Sequence, residues 1–197
     1  MIYYHNKWRR ITLRVGQMTM DDAQTTEMDL GTIRGLKLTA DTSALLGSLV
    51  LWVVLGAAVV IFLKLAVIEG VMLGLVGAIL HWIAELMHQL GHAQAARKAG
   101  YPMIGVRFWW LLSSSIYPAD EPALPPEIHI RRALGGPIRS FILAVVFGIV
   151  TLLLPPGTYQ WWAALFFAAD NFLVFTIGSL LPLGFTDGTT LLRWLRK

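Results

Sequence analysis

Several side chains able to bind a metal or move a proton stand close together in the segment His81-Trp-Ile-Ala-Glu85-Leu-Met-His88-Gln89-Leu-Gly91-His92. Histidines four residues apart project from one face of a helix, so the imidazoles of His88 and His92 can reach one metal ion. At about 100° per residue, His81, Glu85, His88 and His92 fall within a sector of roughly 60°. Histidines hydrogen-bonded across a helix bundle would leave the same pattern. A catalytic zinc normally takes three protein ligands and keeps a fourth position for water, so two histidines do not complete a site. The other candidates in apolar surroundings are Glu85, Asp170 and Asp187.

The elements that must position these residues are membrane spans. Of the 197 residues, 56% are hydrophobic and only 14% charged, against roughly 25% charged in an ordinary soluble domain. Cysteine is absent, which excludes disulfides and thiolate metal sites. Ser43 to Leu63 is a run of 21 residues without a charge, long enough at 1.5 Å per residue to cross about 30 Å of hydrocarbon. A second apolar stretch runs from Gly70 to about Ala96 and carries the histidines. Ser140 to Ala169 holds no charge, and Pro155, Pro156 and Gly157 split it into two helices. The spans are thus expected near residues 43–63, 70–96, 138–154 and 161–182, with a loop over 97–137. A soluble bundle would need polar faces that the first and third spans lack. A cleavable signal does not fit, because about 40 polar residues precede a run too long for an h-region.

With four spans, fifteen of the sixteen lysines and arginines share one side and Lys64 stands alone on the other. That bias predicts a multi-pass membrane protein with both termini in the cytoplasm. It also removes nucleic acid as a partner, since the basic residues flank spans and form no recognition patch. Residues 1–42 read as a cytoplasmic segment with short strands at Trp8–Val15 and Thr32–Thr39, and residues 43–197 as the membrane core. The apolar group Phe108–Leu112 suggests a hairpin dipping into the interface. The fold class expected is an all-α membrane protein with short strands or hairpins at the cytoplasmic interface.

Depth then selects the third ligand. His88 lies nine residues before Arg97, roughly 14 Å below the membrane edge if helical. Asp187 lies six residues before Arg193 at the same edge, and a break at Pro182 and Gly184 would let the chain aim its carboxylate inward. Asp170 is deeper. Asp187 is the better ligand.

The motifs resemble those of the site-2 protease family, the intramembrane zinc metalloproteases. His88-Gln-Leu-Gly-His92 is similar to that family's His-Glu-x-Gly-His, and Ser179-Leu-Leu-Pro182-Leu-Gly-Phe-Thr-Asp187-Gly188 to its Asn-x-x-Pro-x-Pro-x-Leu-Asp-Gly. Gly135-Gly136-Pro137-Ile-Arg-Ser140 resembles the Gly-Pro segment that opens the intervening helix, and Gly31–Leu38 the strand preceding the first span. The resemblance implies one zinc per chain held by His88, His92 and Asp187, with water as fourth ligand and the glutamate after the first histidine as general base. It implies transmembrane segments of other proteins as substrates, the lipid bilayer as setting, and room for a regulatory membrane partner. Ser179, Pro182, Asn171, Gly136 and Pro137 are candidates for binding substrate or supporting the site.

The decisive departure is Gln89, because an amide cannot act as a base at neutral pH. The chain is therefore expected to bind zinc and substrate and to cleave poorly or not at all. An engineered trap and a natural pseudoprotease that sequesters membrane proteins both fit this. Glu85 is expected to point away from the metal, since helical side chains lean towards the N-terminus. His81 reads as a bonded histidine within the bundle. A metal or proton transporter, and a purely structural scaffold, are the competing classes.

Overall fold

A computed structural model describes residues 27–196. The strand expected at Trp8–Val15 lies outside them. The order of elements is β1 (Met28–Ile33), β2 (Leu36–Ala40), α1 (Thr42–Leu63), α2 (Val67–Lys98), β3 (Gly105–Trp109), β4 (Leu112–Ile116), α3 (Pro126–Leu153), α4 (Tyr159–Phe172), a π-helical turn (Leu173–Gly178) and α5 (Asp187–Leu195). Local chemistry sets the helix starts. The Asp41 carboxylate caps α1 by accepting from the Ser43 N–H at 2.8 Å, and Glu69 accepts from the Ala66 N–H at 2.8 Å at the head of α2. Pro126 occupies the first turn of α3, where its missing N–H costs nothing.

Among the described residues, four helices are long and apolar enough to cross a membrane: Thr42–Leu63, Val67–Lys98, Pro126–Leu153 and Tyr159–Gly178. Their outward faces are apolar, with Phe62, Leu152 and Leu153 between 78% and 84% exposed. Hydrocarbon, not water, matches such a surface. α1 and α2 pack closely where Gly56 faces Gly70 and Gly74, and the Trp52 indole N–H donates to the Val71 carbonyl at 2.8 Å across them.

The strands form one sheet in the order β1-β2-β3-β4. β1–β2 and β3–β4 are antiparallel hairpins, while β2 and β3 run parallel. A parallel pair needs a long crossover, and here the crossover is the α1–α2 membrane hairpin. The sheet is consequently pinned to the end of the bundle where α1 begins and α2 ends. There Leu36, Leu38, Val106 and Phe108 pack on Ala44, Ala93 and Ala96.

Several boundaries differ from expectation. The segment Thr32–Thr39 is the middle of a hairpin, turning at Arg34 and Gly35 with φ of 52° and 83°, the positive values that a two-residue hairpin loop requires. The second helix starts at Val67, before residue 70, because Glu69 caps it. The third helix starts at Pro126 rather than near residue 138, and the preceding loop ends at 125. Its added turns lie outside the apolar run and are covered by α5, where the His129 and Trp194 rings stack with centroids 4.0 Å apart. The fourth helix ends its regular part at Phe172 and its π-helical part at Gly178, short of residue 182.

Candidate metal centre

The site begins with a close approach of two backbones. A Cβ on Gly91 of α2 would lie 2.4 Å from the Gly135 carbonyl oxygen of α3, and one on Gly135 would lie 2.6 Å from that of Gly91. Only glycine allows this contact, and it presses the next residue of α3 against the histidines. A Cβ on Gly136 would lie 2.3 Å from His92 Nε2 and 2.5 Å from His88 Nε2. Gly136 thus leaves room for the two imidazoles. Pro137 is buried directly after it, inside α3.

Asp187 arrives from the other direction. After the π-helical turn the chain leaves the helix at Ser179, whose Oγ donates to the Phe175 carbonyl at 2.9 Å. It turns through Gly184 at φ 94° and starts α5 at Asp187. A Cβ on Gly188 would meet the Leu180 carbonyl oxygen at 2.0 Å, so α5 can fold back only with glycine there. A carboxylate in the first turn of a helix is also favoured by the helix dipole.

The three groups converge. His88 Nε2 lies 3.0 Å from His92 Nε2. Asp187 Oδ2 lies 3.2 Å from His88 Nε2, and its Oδ1 3.4 Å from His92 Nε2. A tetrahedral zinc with bonds of about 2.0–2.1 Å separates its ligand atoms by about 3.3 Å, so the spacing fits that ion. The outer partners agree. His92 Nδ1 lies 2.8 Å from the Arg132 carbonyl; a carbonyl only accepts, so Nδ1 carries the proton and Nε2 presents its lone pair. His88 Nδ1 sits 3.0 Å from Ser140 Oγ, which can accept in the same way. Lone pairs and a carboxylate aimed at one point are satisfied by a cation.

The centre opens on a cleft of about 660 Å³ whose lining includes His88, Gln89, His92, Asp187, Ser115 and Tyr117. Strand β4 lies along it. Ser115 Oγ donates to Gln89 Oε1 at 2.8 Å, and Ser113 Oγ donates to Glu85 Oε1. Glu85 is therefore engaged by β4 within the cleft wall. Sequence reasoning overlooked both serines, although residues two apart on a strand share a face and could be expected to address α2 together. It also counted Arg132 only as an orienting charge. The guanidinium is buried, donates to Glu121 Oε2 at 2.9 Å and to the Tyr101 carbonyl at 2.6 Å, and lies over the Tyr117 ring at 4.1 Å. Arg132 thus fastens the loop bearing β3 and β4 to the turn of α3 that holds His92. Its hydrogen bond keeps the Glu121 carboxyl below the usual carboxylate range. A carboxylate so depressed stabilises above its unfolded pKa, so the fastening is complete at neutral pH and is lost only on strong acidification.

The remaining candidates are not among the converging ligands. Asp170 accepts from His81 Nδ1 at 3.1 Å, and His81 Nε2 donates to the Leu111 carbonyl at 3.0 Å, so His81 joins α2, α4 and the tip of the β3–β4 hairpin. His81→Ala is expected to leave zinc content unchanged and to speed amide hydrogen exchange across residues 110–113; unchanged exchange would remove this tethering role. Asn171 is buried, and its Nδ2 donates to Phe167 of its own helix at 2.9 Å. Ser179 lines the cleft, whereas Pro182 is exposed and does not.

No family model matches the chain. Among curated proteins, the "Putative zinc metalloprotease Rip3" of Mycobacterium tuberculosis is 31% identical over 129 residues, covering 62% of this chain and 31% of that protein. The "Putative zinc metalloprotease MJ0611" of Methanocaldococcus jannaschii is 36% identical over 72 residues, 36% of this chain and 37% of that one. The chain thus spans about a third of the length of the curated relatives it matches. In three dimensions it superposes on the site-2 protease from Methanocaldococcus jannaschii with a TM-score of 0.61 and 21% identity, over 86% of this chain and 71% of that one. The chain therefore shares its fold with a solved site-2 protease, and parts of it are similar in sequence to proteins named as putative zinc metalloproteases.

Proposed function

We propose that this chain is the core of an intramembrane zinc metalloprotease, in a form whose hydrolysis is disabled at Gln89. The convergence of His88, His92 and Asp187 supports this reading most strongly. Those three side chains would hold one zinc per chain, which would supply Lewis acidity for peptide hydrolysis at neutral pH. The work of the other residues follows from their contacts. Ser140 and the Arg132 carbonyl orient the imidazoles, and Ser115 holds the side chain at position 89 against the cleft. A glutamate there would take a proton and pass it to the leaving amine. The Gln89 amide has no basic oxygen and does neither.

The substrate is a transmembrane segment of another protein, unwound and laid beside β4 as an added strand. β4 is the outermost strand of the sheet on the cleft side, which supports that role. Deleting Phe108–Leu112 should lower cleavage by a Gln89→Glu enzyme without removing zinc; unaffected cleavage would count against strand addition. The basic residues on one side support a multi-pass inner-membrane protein with both termini in the cytoplasm.

The test is reconstitution of the Gln89→Glu form with single-span membrane proteins, with new termini read by mass spectrometry. Cleavage marks the Gln89 form as the trapped state of an otherwise complete protease. A reverted, zinc-loaded protein that still cleaves nothing favours a pseudoprotease that sequesters membrane partners. Zinc flux across proteoliposomes would instead identify a transporter.

A further inference from the structure

A second cavity, of about 480 Å³, lies away from the metal centre, among the β1–β2 turn, the end of α2 and α3. Among the described residues its polar wall is Arg34, Arg97, Lys98, Arg139 and the neutral Gln94, with no acidic side chain. None of the four forms an ion pair with an acidic side chain among the described residues. Arg97 and Arg139 donate to neutral acceptors, the Arg34 carbonyl at 3.2 Å and Gln94 Oε1 at 3.5 Å. The floor is apolar, formed by Leu36, Leu90 and Ala93.

Depth is the second observation. Arg97 and Lys98 are the last residues of α2, so they stand at the edge of the hydrocarbon. Arg139 starts deeper, beside Gly91, roughly 9 Å below Arg97 along the helix. Its guanidinium reaches up to Gln94, the snorkelling posture of a cation at an interface. Below it, Ile142 and Val146 continue the same face of α3 at helical spacing and are about half exposed, at 55% and 47%. Uncompensated cations at headgroup depth above a lipid-facing apolar strip match one amphipathic ligand.

From this arrangement we infer that the cavity binds an anionic phospholipid. The phosphate and headgroup sit among Arg34, Arg97, Lys98 and Arg139, and an acyl chain runs along Ile142 and Val146. Such a lipid bridges the β1–β2 hairpin to α2 and α3 from outside, on the face of the Gly91–Gly135 contact opposite the cleft.

The full chain in detergent, titrated with dioleoylphosphatidylglycerol or dioleoylphosphatidylcholine and read by native mass spectrometry, tests this. The glycerol lipid should be retained at least about tenfold more strongly than the choline lipid. A basic residue near an anionic surface is worth about fivefold in binding, so Arg34→Gln/Arg97→Gln/Arg139→Gln should lower retention by about tenfold or more. The corresponding lysine triple should keep most of the preference. Arg131→Gln/Arg193→Gln/Arg196→Gln, which removes as many charges from the same side, should stay within about twofold. Equal loss in both glutamine triples, no preference between the lipids, or displacement by millimolar glycerol 3-phosphate would each overturn the lipid site. The last of these would mark a pocket for a soluble phosphate. Thermal unfolding of each variant in the same detergent separates lost binding from lost folding.

Discussion

Restoring Gln89→Glu should raise peptide hydrolysis by roughly 10²–10⁴-fold, the range that general-base assistance contributes. The gain is expected with little change in structure. Gln89 is buried, and its Oε1 already accepts from Ser115 at 2.8 Å; a carboxylate can accept the same bond with one oxygen and keep the other for a proton. Zinc content should be equal in the two forms, because position 89 is not among the converging ligands. Ser115→Ala in the reverted enzyme provides an internal check, since it frees the carboxylate without removing it. A loss in kcat with KM little changed is expected there. A Gln89→Glu protein that binds zinc, unwinds a substrate and leaves it intact would show that more than the base is missing.

Gly136→Ala should abolish metal binding while leaving the helices in place. Alanine is a better helix former than glycine, so α3 itself gains. The added methyl, however, would lie 2.3 Å and 2.5 Å from the Nε2 atoms of His92 and His88, more than 1 Å inside ordinary contact distance. Either the imidazoles retreat or α3 does, and zinc coordination tolerates only about 0.2 Å. Zinc affinity should fall by more than about 100-fold, beyond the usual loss from disturbing an outer partner. Gly148→Ala is the matched control on the same helix, because a Cβ there meets nothing within 4 Å. Equal zinc in the Gly136→Ala and Gly148→Ala proteins would mean that α3 does not press on the histidines.

Much of this site is legible in the sequence because its parts are strongly patterned. Apolar runs of bilayer length announce the helices, and histidines four apart announce a shared face. A carboxylate following a Pro and Gly break at matching depth points to the third ligand. What the sequence hides is contact between elements far apart in the chain. The Gly135-Gly136-Pro137 segment singles out Gly136, but nothing local shows that this glycine clears the histidines while Gly148 faces open space; that difference is the packing of α2 on α3. The early start of α3 is invisible to hydropathy because its first turns are covered by α5 rather than by lipid. Ser113 and Ser115 sit in a short, weakly alternating strand whose partner is a helix of the bundle. The parallel pairing of β2 with β3 follows only once α1 and α2 are seen as one crossover.

Zinc per chain is the most direct measure of the central claim. The 197-residue chain, purified without chelators and analysed by plasma mass spectrometry against amino-acid quantification, should carry about one zinc. His88→Ala and Asp187→Ala should each hold less than about a tenth of that while keeping the wild-type helical signal, because removing one of three ligands leaves a site too weak to survive purification. A wild-type chain that binds no zinc, or variants that retain it, would contradict the metal centre formed by His88, His92 and Asp187.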